Sequence, residues 1–290
     1  MKIWIAPSGK TQTKTPPVPI SETSVMLRLY DHPLSPYAQK VKIALREKGQ
    51  AFEAIMPQGI GIGGAAGEFV EGNLRAEVPF LIDGSVQIFD STIILEYIED
   101  KWPSPALLPR TASERARVRM LEDVMDTHFE AISWGLGEVR NFKRASGALA
   151  ESIEQVAARQ IAGYFDWLEQ QLGARLWFNG DAFGWGDLAV VPYLNGAASL
   201  GFDPVKGSRL ADWLARANAR PSVAANARDI ADMMRAGAPD MAAVVTMVEQ
   251  GLFKREYRDH RLEWMVKVGG LEVVTKGLER DNIRFAPDPG

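Results

Sequence analysis

Strand signals stop at about Pro103 to Pro109, and everything beyond that break reads as helix. Before it, Leu27 to Tyr30 is a short apolar strand, followed by the loop His32-Pro33-Leu34. A helix opens at Ser35-Pro36, repeats apolar side chains at Tyr37, Val41, Ala44 and Leu45, and stops at Lys48-Gly49. Ala51 to Ile55 reads as a second strand, and Gln58 to Gly67 as a flexible glycine-rich loop. Pro79 to Ile82 and Val86 to Phe89 flank Asp83-Gly84, a hairpin signature. Asp90-Ser91 then opens a helix with the stripe Ile94, Leu95 and Ile98. The order β-α-β-(loop/α)-β-β-α demands a small mixed sheet covered by helices.

Beyond the break, Val118, Leu121, Met125, Phe129 and Ile132 form one helical stripe, and Ile153 to Leu172 carry a second. Trp185 to Leu200 is apolar nearly all round, the mark of a central buried helix. Trp213 and Leu214 sit on a further helix ending near Arg220-Pro221. The fold class is therefore α/β followed by all-α. The expected divisions are an extended arm over 1–25, an α/β domain over 26–103, a helical domain over 104–235 and a helical extension over 236–290.

Cysteine is absent. Disulfides, thiolate metal sites and an enzyme-borne cysteine nucleophile are excluded, so any thiol chemistry needs a thiol brought by the ligand. A net charge of −4 lacks the basic excess of a nucleic-acid binder. No apolar run reaches the length of a membrane span, and the first 25 residues lack the apolar centre of a secretory signal. A cytoplasmic protein is expected, with no membrane partner. His128 and His260 have no companions at ligand spacing, so no metal site is expected.

The chemistry concentrates at Ser35. A serine followed by proline at the first helical position places a hydroxyl beside unpaired amides at the positive end of a helix, where an anion or thiolate is stabilised. Tyr30, at the end of the first strand, is the alternative thiol partner.

Four separated motifs together resemble the glutathione transferases. Ser35-Pro36-Tyr37 resembles the start of the first helix in serine-type members, and Asn73 to Pro79 (NLRAEVP) resembles the segment whose proline is cis. Asp90-Ser91 is similar to the acidic-Ser pair opening the third helix, and Gly184-Trp185-Gly186-Asp187 to the box capping the buried helix. The resemblance implies a thioredoxin-like N-terminal domain, a helical C-terminal domain and glutathione as co-substrate. It implies that Ser35 activates the thiol, that Val78 and Pro79 present backbone to the cysteinyl part, and that Asp90 and Ser91 receive the γ-glutamyl group. A cytoplasmic homodimer with a role in detoxification is implied as well, with the third and fourth helices crossing its interface.

Three departures stand out. Glu77 occupies a position where these proteins often carry lysine, so the glycyl carboxylate needs another cation, with Arg75 the nearest in sequence. Gly184 replaces a capping hydroxyl, and Leu74 and Ala76 replace turn residues. Leu34, Met125, His128, Phe129 and Trp134 are expected to wall a pocket for a hydrophobic, aromatic-tolerant electrophile between the halves. Ser-Pro-Tyr and the long C-terminal tail also resemble bacterial β-etherase-like members, which implies conjugation or ether cleavage. The alternative is a non-catalytic binding or scaffold protein of the same fold. The stripe Met241, Val244, Val245 and Val248 is expected to pack on the helical half, with Phe253 and Tyr257 over the electrophile pocket and no effect on glutathione.

Overall fold

The computed structural model describes residues 26–59, 65–237 and 240–285. The expected N-terminal arm and the middle of the glycine-rich loop lie outside the described residues. Strands β1 (Leu27–Tyr30), β2 (Phe52–Ile55), β3 (Phe80–Asp83) and β4 (Val86–Phe89) form one sheet in the order β2-β1-β3-β4. β1 runs parallel to β2 and antiparallel to β3, and β3 pairs with β4 as the expected hairpin, with Phe80 opposite Phe89. Side chains alternate across the pleat. Leu27, Leu29 and Leu81 join the main core with α1 (Pro36–Glu47) and α3 (Ser91–Lys101). Tyr30, Phe80 and Ile82 pack on the other side with Phe69 of the short helix α2 (Glu68–Glu71).

The helical half begins with α4 (Ala112–Val124) and continues through a π-helical turn, Met125–Phe129, into α5 (Glu130–Arg140). The sequence stripe is buried throughout, straight across that wider turn. α6 (Gly147–Leu172) packs on α5, and α7 (Trp185–Ser199), set against α1 and α4, is buried on nearly every side as its composition demands. α8 (Arg209–Asn218) ends where expected, but Pro221 does more than stop it. The proline opens α9 (Pro221–Gly237), at the first helical position where its missing N–H costs nothing. α9 packs along α1, with the Asn226 amide donating to the Gln39 carbonyl at 3.0 Å.

The C-terminal segment folds as α10 (Met241–Glu249), β5 (Arg255–Glu256), α11 (Asp259–Lys267), α12 (Leu271–Glu279) and β6 (Ile283–Arg284), with β5 and β6 in a two-stranded parallel pair. α11 lies on α5, its Trp264 ring so close that a Cβ on Gly135 would stand 2.0 Å from it. Among the described residues, no helix is long and apolar enough to cross a membrane.

The cap of α7 differs from what its sequence suggests. Asp187 is fully buried and accepts from the backbone N–H groups of Phe178, Asn179 and Gly184 and from the Trp213 indole. Gly184 is not a weakened version of a hydroxyl cap, because a Cβ there would meet the Asn179 amide and the Leu107 carbonyl oxygen at 2.3 Å. Gly184→Ser, although it restores the hydroxyl, is expected to lower stability by about 1–3 kcal/mol through overpacking. Urea denaturation checks this, and an unchanged or raised midpoint would contradict it.

Candidate active site between the two halves

A cleft of about 1260 Å³ runs between the sheet half and the helical half. Ser35, Val78, Pro79, Asp90 and Ser91 all line it. Ser35 caps α1, its hydroxyl oxygen accepting from the Ala38 N–H at 3.3 Å, which leaves the hydroxyl proton to be donated. Its own N–H donates to the His32 carbonyl at 2.8 Å, and His32 Nδ1 accepts from the Leu34 N–H, so the loop is pinned at both ends. Burial lowers the His32 pKa and favours the neutral ring.

The Val78–Pro79 peptide is cis, as the motif implied. Among the described residues, the Val78 backbone has no hydrogen-bond partner. Pairing of Phe80 with Phe89 brings Asp90 and Ser91 alongside Pro79. Asp90 caps α3 with one carboxylate oxygen, on the Thr92 and Ile93 N–H groups, and takes Arg75 on the other at 2.9 Å. Arg75 is thus committed to Asp90 and is not a spare cation. Ser91 is buried at the start of α3.

The alternative thiol partner is placed elsewhere, and the neighbouring Tyr37 lines the cleft with its hydroxyl already engaged. Tyr30 sits on the α2 side of the sheet, its hydroxyl 3.4 Å from Glu68, and does not line the cleft. Tyr37 is spent on packing and donates to the Asp126 carbonyl at 2.7 Å.

The far wall corrects the sequence reading in part. Leu34 and Trp134 line the cleft, but Met125 and Phe129 are fully buried in the core. His128 points the other way, into a separate hollow of about 470 Å³ with Tyr164, Trp167 and Trp264. The π-helical turn sends Asp126, Thr127 and Glu130 toward the cleft instead. Phe253 lines the cleft and stacks on Phe142 with centroids 6.2 Å apart, whereas Tyr257 is buried behind it, edge-on to Trp134 at 4.6 Å.

The extension brings charge to the cleft that its apolar stripes do not signal. Glu130 is buried and accepts from Arg261 and pairs with His260; burial opposes its charge, yet the Arg261 guanidinium and the His260 hydrogen bond hold its pKa down to about 2. Buried Glu138 accepts from Arg255 at 2.6 Å and from the Tyr257 hydroxyl. Glu77 faces Glu256 across the junction of the halves. Burial and the neighbouring Glu256 push Glu77 up to about 8, against the pull of Arg258 and Arg261.

Sequence models of the glutathione S-transferase N-terminal and C-terminal domains match residues 29–106 and 115–216. Glutathione S-transferase 3 of Zea mays is 32% identical over 177 residues, 59% of this chain and 79% of that protein. A stringent starvation protein A homolog of Coxiella burnetii is 25% identical over 58% of this chain and 75% of that protein. A solved glutathione S-transferase of Methylobacterium radiotolerans, in complex with glutathione sulfonate, superposes with a TM-score of 0.60 and 28% identity, covering 70% of this chain and 94% of that one. The chain belongs to the glutathione S-transferase family. It has that family's thioredoxin-like N-terminal domain and helical C-terminal domain, and glutathione is the family's co-substrate.

The carboxyl pair has a testable pH signature. Glu77 has a folded pKa raised above its unfolded value near 4.5, so its contribution to stability is full below pH 4.5 and lost as pH rises toward 8. Glu77→Gln is expected to flatten the stability profile over that window and to gain on the wild type as pH rises. Melting temperatures across the window check it; parallel profiles would contradict it.

Proposed function

We propose that this protein is a serine-type glutathione transferase, in which Ser35 stabilises the glutathione thiolate for attack on an aromatic electrophile. The single observation that carries this is the Ser35 hydroxyl, half-buried at the α1 N-terminus, in one cleft with the unpaired Val78 backbone and the Asp90-Ser91 helix start. The thiol of a cysteinyl residue has a pKa near 8.5 in water, so depressing it by one or two units raises the thiolate fraction at neutral pH about tenfold or more. A hydroxyl donor and a helix terminus supply that kind of stabilisation. Leu34, Trp134, Phe142 and Phe253 offer an aromatic-tolerant face to the second substrate, consistent with conjugation or ether cleavage.

In this reading residues 26–103 form the glutathione-binding domain, 104–235 the helical domain and 236–290 a C-terminal extension whose described residues close the cleft. A homodimer across α3 and α4 is supported by the exposed Ile93 and Met120 on those helices. Ultracentrifugation is expected to give twice the 32.0 kDa chain mass, and a monomer at micromolar concentration would contradict it.

The test of Ser35 is kinetic and spectroscopic. Ser35→Ala is expected to lower kcat about a hundredfold with little change in glutathione affinity, the cost of removing one donor to a developing anion. The pH midpoint of bound-thiolate absorbance should rise in the same variant. An unshifted midpoint would leave Ser35 a helix cap only. Glu77, at a position where the family often carries lysine, favours one rival, a non-catalytic binding or scaffold protein of the same fold. That rival requires glutathione to bind with no thiolate absorbance at neutral pH in the wild type.

A further inference from the structure

The extension presents four guanidinium groups to the cleft, and three of them are committed. Arg255 donates to Glu138 at 2.6 Å, Arg261 to Glu130 at 2.6 Å and Arg284 to Glu256 at 2.7 Å. Arg258 is different. Among the described residues its guanidinium donates no hydrogen bond, and the nearest carboxylate oxygens stand 3.5 Å away on Glu77 and 3.8 Å away on Glu256. Its side chain is only 28% exposed, and it lines the cleft with Glu77 and Val78. The neighbouring charges do not balance it. Glu256 is already held by Arg284, and the raised pKa of Glu77 leaves that carboxyl largely protonated at neutral pH. The backbone beneath Arg258 is fixed, between buried Tyr257 and the first turn of α11, whose Leu262 N–H donates to the Arg258 carbonyl. A half-buried group with five N–H donors and no good acceptor, held on a rigid support, is preorganised for an anion.

The direction of a bound peptide says which anion. Glutathione laid antiparallel on Val78 runs against the sense of Glu77-Val78-Pro79. The strand register puts Asp90 and Ser91 beside Pro79, so the γ-glutamyl end lies there. The other end of the peptide, with its terminal carboxylate, then falls on the Glu77 side, where Arg258 stands. We propose that Arg258, delivered by the C-terminal extension, binds the glycyl carboxylate of glutathione. This rests on reading the cleft as a glutathione site. It reverses the expectation that the extension serves only the electrophile, because here it completes the site for the peptide that Glu77 and the committed Arg75 leave incomplete.

Calorimetry with two peptides tests it: glutathione, and glutathione amidated at the glycyl carboxyl. Wild type is expected to bind the acid about tenfold or more tighter than the amide, the usual value of a charge-assisted arginine–carboxylate contact. Arg258→Met should bind both peptides alike, at the affinity of the amide, and Arg258→Lys should keep part of the preference. Melting curves report whether each variant is folded, and the comparison of the two peptides on wild type stands whatever the variants do. Equal affinity of wild type for acid and amide would overturn the assignment of Arg258 while leaving the glutathione site intact. A preference retained in Arg258→Met, or an equal loss for both peptides, would overturn it too. Wild type binding neither peptide would refute the glutathione reading itself.

Discussion

One buried ammonium group holds the two halves in register. Lys40, on α1, has no exposed surface and reaches both Glu122 on α4 and Asp126 in the π-helical turn. Glu122 also accepts from the Thr92 hydroxyl on α3 and the Trp185 indole on α7, while Asp126 accepts from the Tyr193 hydroxyl. Burial pushes Asp126 up to about 6, with Lys40 pulling against it. Removing such charges from water costs several kcal/mol per ion, and only full pairing offsets it. A slip of α1 against α4 or α7 would strand a charge, so this joint admits one arrangement. Ser35 lies at the start of the same helix, and its position opposite the cleft wall is set by that joint.

The second wall depends on a different set of buried carboxylates. Glu130 and Glu138, both on α5, take Arg261, His260, Arg255 and Tyr257 from the extension. Each is a case of burial tolerated because guanidinium groups and neutral donors meet both carboxylate oxygens. The extension is therefore fastened to the helical half by charge, while toward the sheet half it brings Glu256 and Arg258 up to Glu77. It is a third side of the cleft, polar where the sequence suggested an apolar cover.

What could be read from the sequence was local chemistry. Ser35-Pro36, Asp83-Gly84 and Asp90-Ser91 are capping and turn signals that act within four residues, and the structure has a helix start or turn at each. The stripes of α3 and α6 were legible because apolar periodicity survives in a regular helix, and α7 because it is apolar nearly all round. The orientation of His128 was not, because it lies in the wider π-helical turn, whereas Met125 and Phe129 stay in the buried stripe. The charged core was also hidden. Lys40 and Glu122 lie 82 residues apart and Glu130 and Arg261 lie 131 apart, so each looks like a solvated surface charge until the fold brings its partner. α9 was obscured by Pro221, which signals an end and a start alike.

A crystal structure of the glutathione complex tests the central claim most directly. The account expects the sulfur within about 3.5 Å of the Ser35 hydroxyl, a hydrogen-bonding distance, with the peptide paired on Val78 and its carboxylate ends at Ser91 and Arg258. A sulfur turned away from Ser35, or a peptide bound outside the Val78–Asp90 wall, would contradict it.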